Sequence, residues 1–221
     1  MEHNVQILMT QQVTHDVKRF IVKKPPDFDF EPGQGVELAI DRPEWAQEGR
    51  PFTPTSRPGD GVLEFTIKGY PERDGVTRQL HRLEPGDQLL ISAPFGAIRY
   101  RGLGTFIAGG AGITPFLSII REQCAIDSME AHDLIFSNRT PRDVICEKEL
   151  RYVFGDRATF TCTREAASGY DHRRVDEAFL KEKIADFNRN FYVCGPPKFT
   201  EEINAALEAH GARGESLIFE K

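Results

Sequence analysis

The sequence predicts two domains of different class, an antiparallel β domain over residues 1–101 and a parallel α/β domain over 102–221. Three observations carry this. No helix-period pattern precedes Val76, whereas five or six short alternating stretches do. Beyond Gly104, apolar strand-length runs alternate with helical periodicity. The second region opens on Thr105–Ile120, TFIAGGAGITPFLSII, which reads as strand, glycine turn and amphipathic helix in immediate succession.

Taken in order, VQILMTQQV and KRFIVKK read as strands, ended by Pro25-Pro26 and a turn at Pro32-Gly33. A strand over 36–40 leads into a polar connection carrying Trp45 and then Arg50 to Ser56. A Pro-Gly-Asp-Gly turn at 58–61 introduces an alternating strand over 62–68. Residues 74–83 read as a short helix with Leu80 and Leu83 on its apolar side, followed by the strand QLLISAP. The residues leave barrel and sandwich open for this region. Beyond it, strands are expected at 105–108, 134–136, 159–163, 191–193 and 217–219. Helices are expected from the glycine turn to about Cys124, and over 147–153, 175–184 and 198–210.

Gly109, Gly110 and Gly112 leave the strand-to-helix turn without side chains, and the first turn of a helix offers unpaired N–H groups to a phosphate. Pro115 suits that first turn, where its missing N–H was an orphan anyway. A bound dinucleotide is the natural reading, with a plain tight turn as its alternative. The Gly75-Val76-Thr77 turn is a second potential anion site, unless Asp74 simply caps the helix.

A formal net charge of -6 gives no global electrostatic reason to bind nucleic acid or an anionic membrane. Cys124, Cys146, Cys162 and Cys194 are too widely spaced for a zinc or iron–sulfur motif, and the histidines show no ligand spacing, so no metal site is expected. No Ser-His-Asp pattern or glycine elbow points to hydrolysis. Without a secretory pattern at residues 1–10 or an apolar stretch near 18 residues, the expectation is a cytoplasmic protein with reduced thiols and no membrane span.

Four motifs occur together: Arg50-Pro51-Phe52-Thr53-Pro54-Thr55-Ser56, Gly75-Val76-Thr77, Gly110-x-Gly112-x-x-Pro115 and Cys194-Gly195-Pro196-Pro197. In order and approximate spacing the chain resembles the ferredoxin/flavodoxin–NAD(P)H reductase superfamily over nearly its whole length. The resemblance implies an FAD-binding antiparallel Greek-key β-barrel followed by a Rossmann-like NAD(P)-binding α/β domain. It also implies hydride transfer from nicotinamide to flavin.

Residue chemistry runs parallel to that resemblance. Arg50 is a permanently charged planar donor suited to a pyrophosphate, Phe52 an aromatic face, and Thr53 a hydroxyl able to bond a redox-active ring nitrogen. By resemblance, Arg50, Pro51, Phe52, Thr53, Ile67 and Lys68 line the flavin, and Gly75, Val76 and Thr77 favour FAD over FMN. Phe52 stands where many members have tyrosine, so any hydroxyl contact there is lost. The nicotinamide dinucleotide would be held by Gly110, Gly112, Thr114, Pro115, Arg139, Arg164, Cys194, Gly195 and Pro196. Thr53 and Cys194, one in each domain, are expected to flank the transferred hydride. Phe219 falls where some relatives place an aromatic against the flavin, although a core role is the plainer reading.

A carboxylate about 20 residues beyond the glycine loop would select NAD, whereas arginine suits NADP. The second α/β strand ends in Ser137-Asn138-Arg139 and the third in Thr163-Arg164-Glu165, with Arg173 and Arg174 following. NADPH is therefore expected over NADH, with Glu165 keeping NADH open. Electrons would leave singly for an external ferredoxin-like or flavodoxin-like carrier. Free-flavin reduction and service as an oxygenase reductase component are the near alternatives. A non-catalytic redox-sensing subunit is the distant one.

Overall fold

The computed structural model describes residues 3–72, 74–96, 98–213 and 217–219, with the side chains of Leu217 and Phe219 outside the description. Two compact units result: Met1–Arg99 with Thr114–Glu122, and Tyr100–Ile113 with Gln123–Lys221.

In the first unit β1 (His3–Thr14), β2 (Val17–Lys23), β3 (Val36–Ile40), β4 (Arg50–Phe52), β5 (Val62–Lys68) and β6 (Gln88–Ile91) form one antiparallel sheet ordered β4-β3-β6-β1-β2-β5. The last strand thus inserts between the first and third, a Greek-key arrangement. Beyond the ends of the ladder order, Pro54 bridges Phe65 and the Thr55 N–H donates to the Glu64 carbonyl, so the sheet closes on itself as a barrel. Alternation sends Leu63, Phe65 and Ile67 of β5 inward to meet Phe20, Val22, Val36, Leu38, Leu89 and Ile91. Arg50–Phe52, read from sequence as connection, is a short strand on β3. Three residues including a proline carry no strand signal, and their pairing is supplied by the neighbouring strand.

The helix expected over 74–83 contracts to α1 (Val76–Leu80). Gly75 is in extended backbone and no side chain caps the helix, so Asp74 does not fill that role. Leu83 lies beyond the helix yet is fully buried with Val76 and Leu80.

In the second unit β7 (Gly104–Gly109), β8 (Asp133–Asn138), β9 (Ala158–Cys162), β10 (Asn190–Cys194) and β11 (Leu217–Phe219) make a parallel sheet ordered β11-β10-β7-β8-β9. All residues of β7 are buried, as a central parallel strand requires. After a 3-10 turn at Gly110–Ile113 the chain passes into α2 (Thr114–Ala125), whose residues Thr114–Glu122 belong to the first unit, and α3 (Glu147–Phe154), α4 (Glu177–Lys183) and α5 (Pro197–Ala209) follow in the second. One core joins Ile107, Ile135, Phe191 and Val193 of the sheet to Phe179, Leu180, Ile203 and Leu207 of α4 and α5. α4 starts two residues later than the periodicity predicts because the Asp176 carboxylate accepts the Phe179 N–H and fixes the cap. No described helix is long and apolar enough to cross a membrane.

Candidate functional site

In the barrel unit, β4 presents Arg50, Pro51 and Phe52 as an outer strand paired through Val36–Phe52 and Leu38–Arg50. Arg50 is about half exposed, donating to the Gly49 carbonyl at 2.6 Å and meeting Glu48 at 3.4 Å. An exposed pair of that kind is worth little and yields readily to a stronger anion. Pro51 is exposed; Phe52 is half-buried with one side against the barrel core. The Thr53 hydroxyl, also half-buried, has no hydrogen-bond partner among the described residues. It is free to donate to a ligand atom.

Ile67 and Lys68 sit at the end of β5. The Ile67 side chain lies in the barrel core and its carbonyl accepts a bond from His81 Nε2 at 2.8 Å. The Lys68 ammonium is held by Asp16 at 2.7 Å. That contact, with the Thr14 hydroxyl, lowers the Asp16 carboxyl despite the opposing effect of burial. His81 was not singled out from sequence, yet its ring fills the space over Gly69, where an added Cβ would meet it at 2.7 Å. Burial depresses its pKa, the effect outweighing the Ile67 carbonyl.

Gly75, Val76 and Thr77 open α1. Val76 is buried while Gly75 and Thr77 are half-buried, and the space beside Gly75 is open. With no side-chain cap, the first N–H groups remain available to an anion.

In the α/β unit, chain order reverses between β7 and β10, which lie side by side with Ala108 opposite Cys194. The carboxyl ends of strands at such a reversal are where open α/β sheets bind ligands. The glycine turn and the Cys194-Gly195-Pro196 segment emerge there together and interlock. A Cβ on Gly112 would lie 2.3 Å from the Cys194 carbonyl oxygen, and one on Gly195 would lie 2.7 Å from the Phe199 ring. Gly110 adopts φ +54 with open space around it. Thr114 and the buried Pro115, which form the first turn of α2 without a side-chain cap bond, belong to the barrel unit. Cys194 is 6% exposed at the end of β10, and Pro196 opens α5.

Arg139 and Arg164 follow the adjacent strands β8 and β9, and the Arg164 N–H donates to the Arg139 carbonyl at 2.8 Å. Both side chains are exposed. Two guanidinium groups are thereby carried on adjoining backbone at the carboxyl edge of the sheet. Arg173 and Arg174, which the sequence added to the same basic group, meet carboxylates here. Arg173 is bracketed by Asp171 at 2.6 Å and Glu182 at 2.7 Å, and Arg174 pairs with Glu202 at 3.0 Å. Cys162, at the end of β9, is fully buried, and desolvation pushes its thiol up to about 11, so it is no nucleophile at neutral pH.

The donor set suits the groups expected of it. The barrel unit offers an exposed guanidinium, an aromatic face, an unpartnered hydroxyl and an uncapped helix start, matching the charges and polar atoms of FAD. The α/β unit offers a glycine turn with close backbone approach at a topological reversal, matching a dinucleotide. The Phe219 side chain falls outside the described residues.

Comparison with known proteins agrees with both assignments. Residues 4–100 match the oxidoreductase FAD-binding domain family and residues 106–205 the oxidoreductase NAD-binding domain family. The chain is 30% identical to the glycine betaine monooxygenase reductase subunit of Chromohalobacter salexigens, over 95% of this chain and 61% of that protein. It is 29% identical to NADH-cytochrome b5 reductase 1 of Coccidioides immitis, over 93% of this chain and 74% of that one. It thus spans about three fifths of the length of the monooxygenase subunit. Among solved structures, a ferredoxin NADP+ reductase from Neisseria gonorrhoeae with bound FAD and NADP superposes with a TM-score of 0.84 at 21% identity, covering 99% of this chain and 97% of that chain.

Proposed function

From the premise that this chain belongs to the ferredoxin–NAD(P)H reductase superfamily in its two-domain form, with FAD and a nicotinamide dinucleotide as cofactors, we propose that it is an NADPH-preferring reductase that passes electrons singly to an external protein carrier. The observation that carries the reading is the close approach of Gly112 to the Cys194–Gly195 peptide at the β7/β10 reversal, which leaves no room for a side chain at that position of the glycine turn. FAD supplies the conversion of a two-electron hydride into single electrons. The protein's part is placement: Arg50 and the α1 start hold phosphate charge, Thr53 donates to the ring, and Cys194 supports the nicotinamide. Arg139 and Arg164 favour a 2′-phosphate, which supports NADPH over NADH.

A ferredoxin-like or flavodoxin-like carrier is the first acceptor proposed. A second reading, the reductase component of an oxygenase or a cytochrome reductase, draws on the names of the two relatives above. The protein should purify yellow and release FAD on denaturation. Anaerobic stopped-flow reduction by NADPH and NADH, followed by turnover with ferredoxins, flavodoxins, cytochrome b5 and free flavins, tests the rest. Release of FMN, or no reduction by either nucleotide, would sink the proposal.

A further inference from the structure

Beside Thr53 the chain is pinned by a polar network whose partners, Glu64, Ser118 and Arg121, lie outside the four motifs. Thr55 is completely buried and Ser56 nearly so. The Thr55 N–H donates to the Glu64 carbonyl at 2.7 Å, and its hydroxyl donates to Glu64 Oε1 at 2.6 Å. The Ser56 hydroxyl accepts the Glu64 N–H at 3.1 Å. Two carbonyls remain, and α2 supplies their donors. Arg121 Nη1 donates to the Thr55 carbonyl at 2.6 Å, and the buried Ser118 hydroxyl donates to the Ser56 carbonyl at 2.7 Å. The same Nη1 donates to Glu64 Oε1 at 2.7 Å, while Arg19 lies 3.4 Å from the other carboxylate oxygen. The Arg121 and Glu64 side chains are only 19% and 13% exposed, so their pairing is little screened.

Only Pro54, with its ring-fixed φ, separates Thr55 from Thr53. Adjacent Cα atoms lie about 3.8 Å apart, so a fixed Thr55 leaves the Thr53 hydroxyl little freedom. We infer that Arg121 and Glu64 are positioning residues that hold Thr53 in place through Thr55, rather than a surface ion pair. The inference rests on the proposed role of Thr53 at the flavin. It goes further by assigning that role's mechanical support to α2, the helix that begins where the glycine turn ends.

A lysine at this position keeps the positive charge on a shorter stem with a single ammonium, so it restores the contacts to Thr55 and Glu64 only in part. The test compares Arg121→Met, Arg121→Lys and Glu64→Gln with the wild-type protein. Hydrogen exchange over residues 53–56 is measured in the flavin-free protein, and single-turnover flavin reduction in the reconstituted one. In Arg121→Met, exchange should rise about tenfold as the local opening energy falls. Flavin reduction should slow by about tenfold, in keeping with misplacement of less than 1 Å. FAD affinity should stay within about threefold, because Arg50 and the α1 start are untouched. Arg121→Lys should recover part of both exchange and rate, and Glu64→Gln, which keeps the acceptor oxygen but loses the charge, should likewise fall between Arg121→Met and wild type. Unchanged exchange in Arg121→Met, or a wild-type rate despite looser exchange, overturns the inference while leaving the reductase reading intact. A wild-type protein that binds FAD but is not reduced by either nucleotide overturns both. Should Arg121→Met not fold, Arg121→Lys and Glu64→Gln decide, wild-type exchange or wild-type rates in both being the overturning result.

Discussion

A methyl group placed on Gly112 would sit 2.3 Å from the Cys194 carbonyl oxygen, closer than any Cβ approaches a backbone atom. The glycine therefore sets the distance between the turn after β7 and the end of β10. Gly112→Ala should destabilise the protein by about 1 to 3 kcal/mol, the usual cost of overpacking, and weaken NAD(P)H binding. Gly110→Ala meets open space and suffers only its positive φ, costing roughly 1 to 2 kcal/mol. Chemical denaturation with nucleotide titration checks the pair. Equal nucleotide affinity in Gly112→Ala and wild type would show that the interlock does not shape the binding turn.

Arg164→Ala and Arg139→Ala should each raise KM for NADPH far more than for NADH. The loss of one charge-assisted bond corresponds to roughly 1.5 to 3 kcal/mol. Arg173→Ala should alter neither, because that guanidinium is bracketed by Asp171 and Glu182. Steady-state kinetics with both nucleotides decides. Parallel losses for NADPH and NADH in the first two variants would point to a structural role.

Thr53→Val keeps shape and removes the hydroxyl; Cys194→Ala removes a soft contact at the end of β10. Each should slow single-turnover flavin reduction by about 10- to 100-fold, with FAD content and NAD(P)H dissociation constants nearly unchanged. The double variant tests the proposal that both residues serve one hydride step: a loss smaller than the product of the two supports it, and the full product refutes it. A wild-type rate in either single variant removes that residue from the hydride path.

His81 and His132 make stability depend on mild acid. Burial lowers both imidazole pKa values in the folded protein, with the charges of Lys18 and Arg189 respectively acting in the same direction. In the unfolded chain they titrate near 6.5, so below that pH the unfolded state binds more protons and stability falls. The melting temperature should drop between pH 7.5 and 5.5, and His81→Gln should flatten part of the drop. A separate loss, at pH below about 4, should follow from Asp16, Asp87 and Asp171, whose folded-state values are lowered. Identical slopes for His81→Gln and wild type above pH 5.5 would contradict the assignment.

What was legible in the sequence was local. Strand alternation, the glycine turn and the terminating prolines each act over a few residues, and the strand and helix sequence of both units follows from them. What depended on distant partners was not. β4 is a strand only because β3 offers an edge. Arg173 and Arg174 read from sequence only as basic residues following Arg164, because Glu182 and Glu202 come beside them only through the fold. Arg121 and Ser118 gave one faint signal, polar residues spaced by a helical turn among Phe116, Leu117, Ile119 and Ile120, which marks a buried polar face only once its acceptors are known. His81 gave none, since its acceptor belongs to another strand.

The nine residues Thr114–Glu122 belong to the barrel unit although the chain on both sides of them belongs to the α/β unit. A gene cut after residue 101 would therefore yield a barrel whose buried Thr55 and Ser56 carbonyls have lost the Arg121 and Ser118 donors, each buried orphan costing about 1 to 3 kcal/mol. The two units are thus not interchangeable cassettes. Any exchange of the α/β unit would have to leave Thr114–Glu122, with Ser118 and Arg121, on the barrel side of the join.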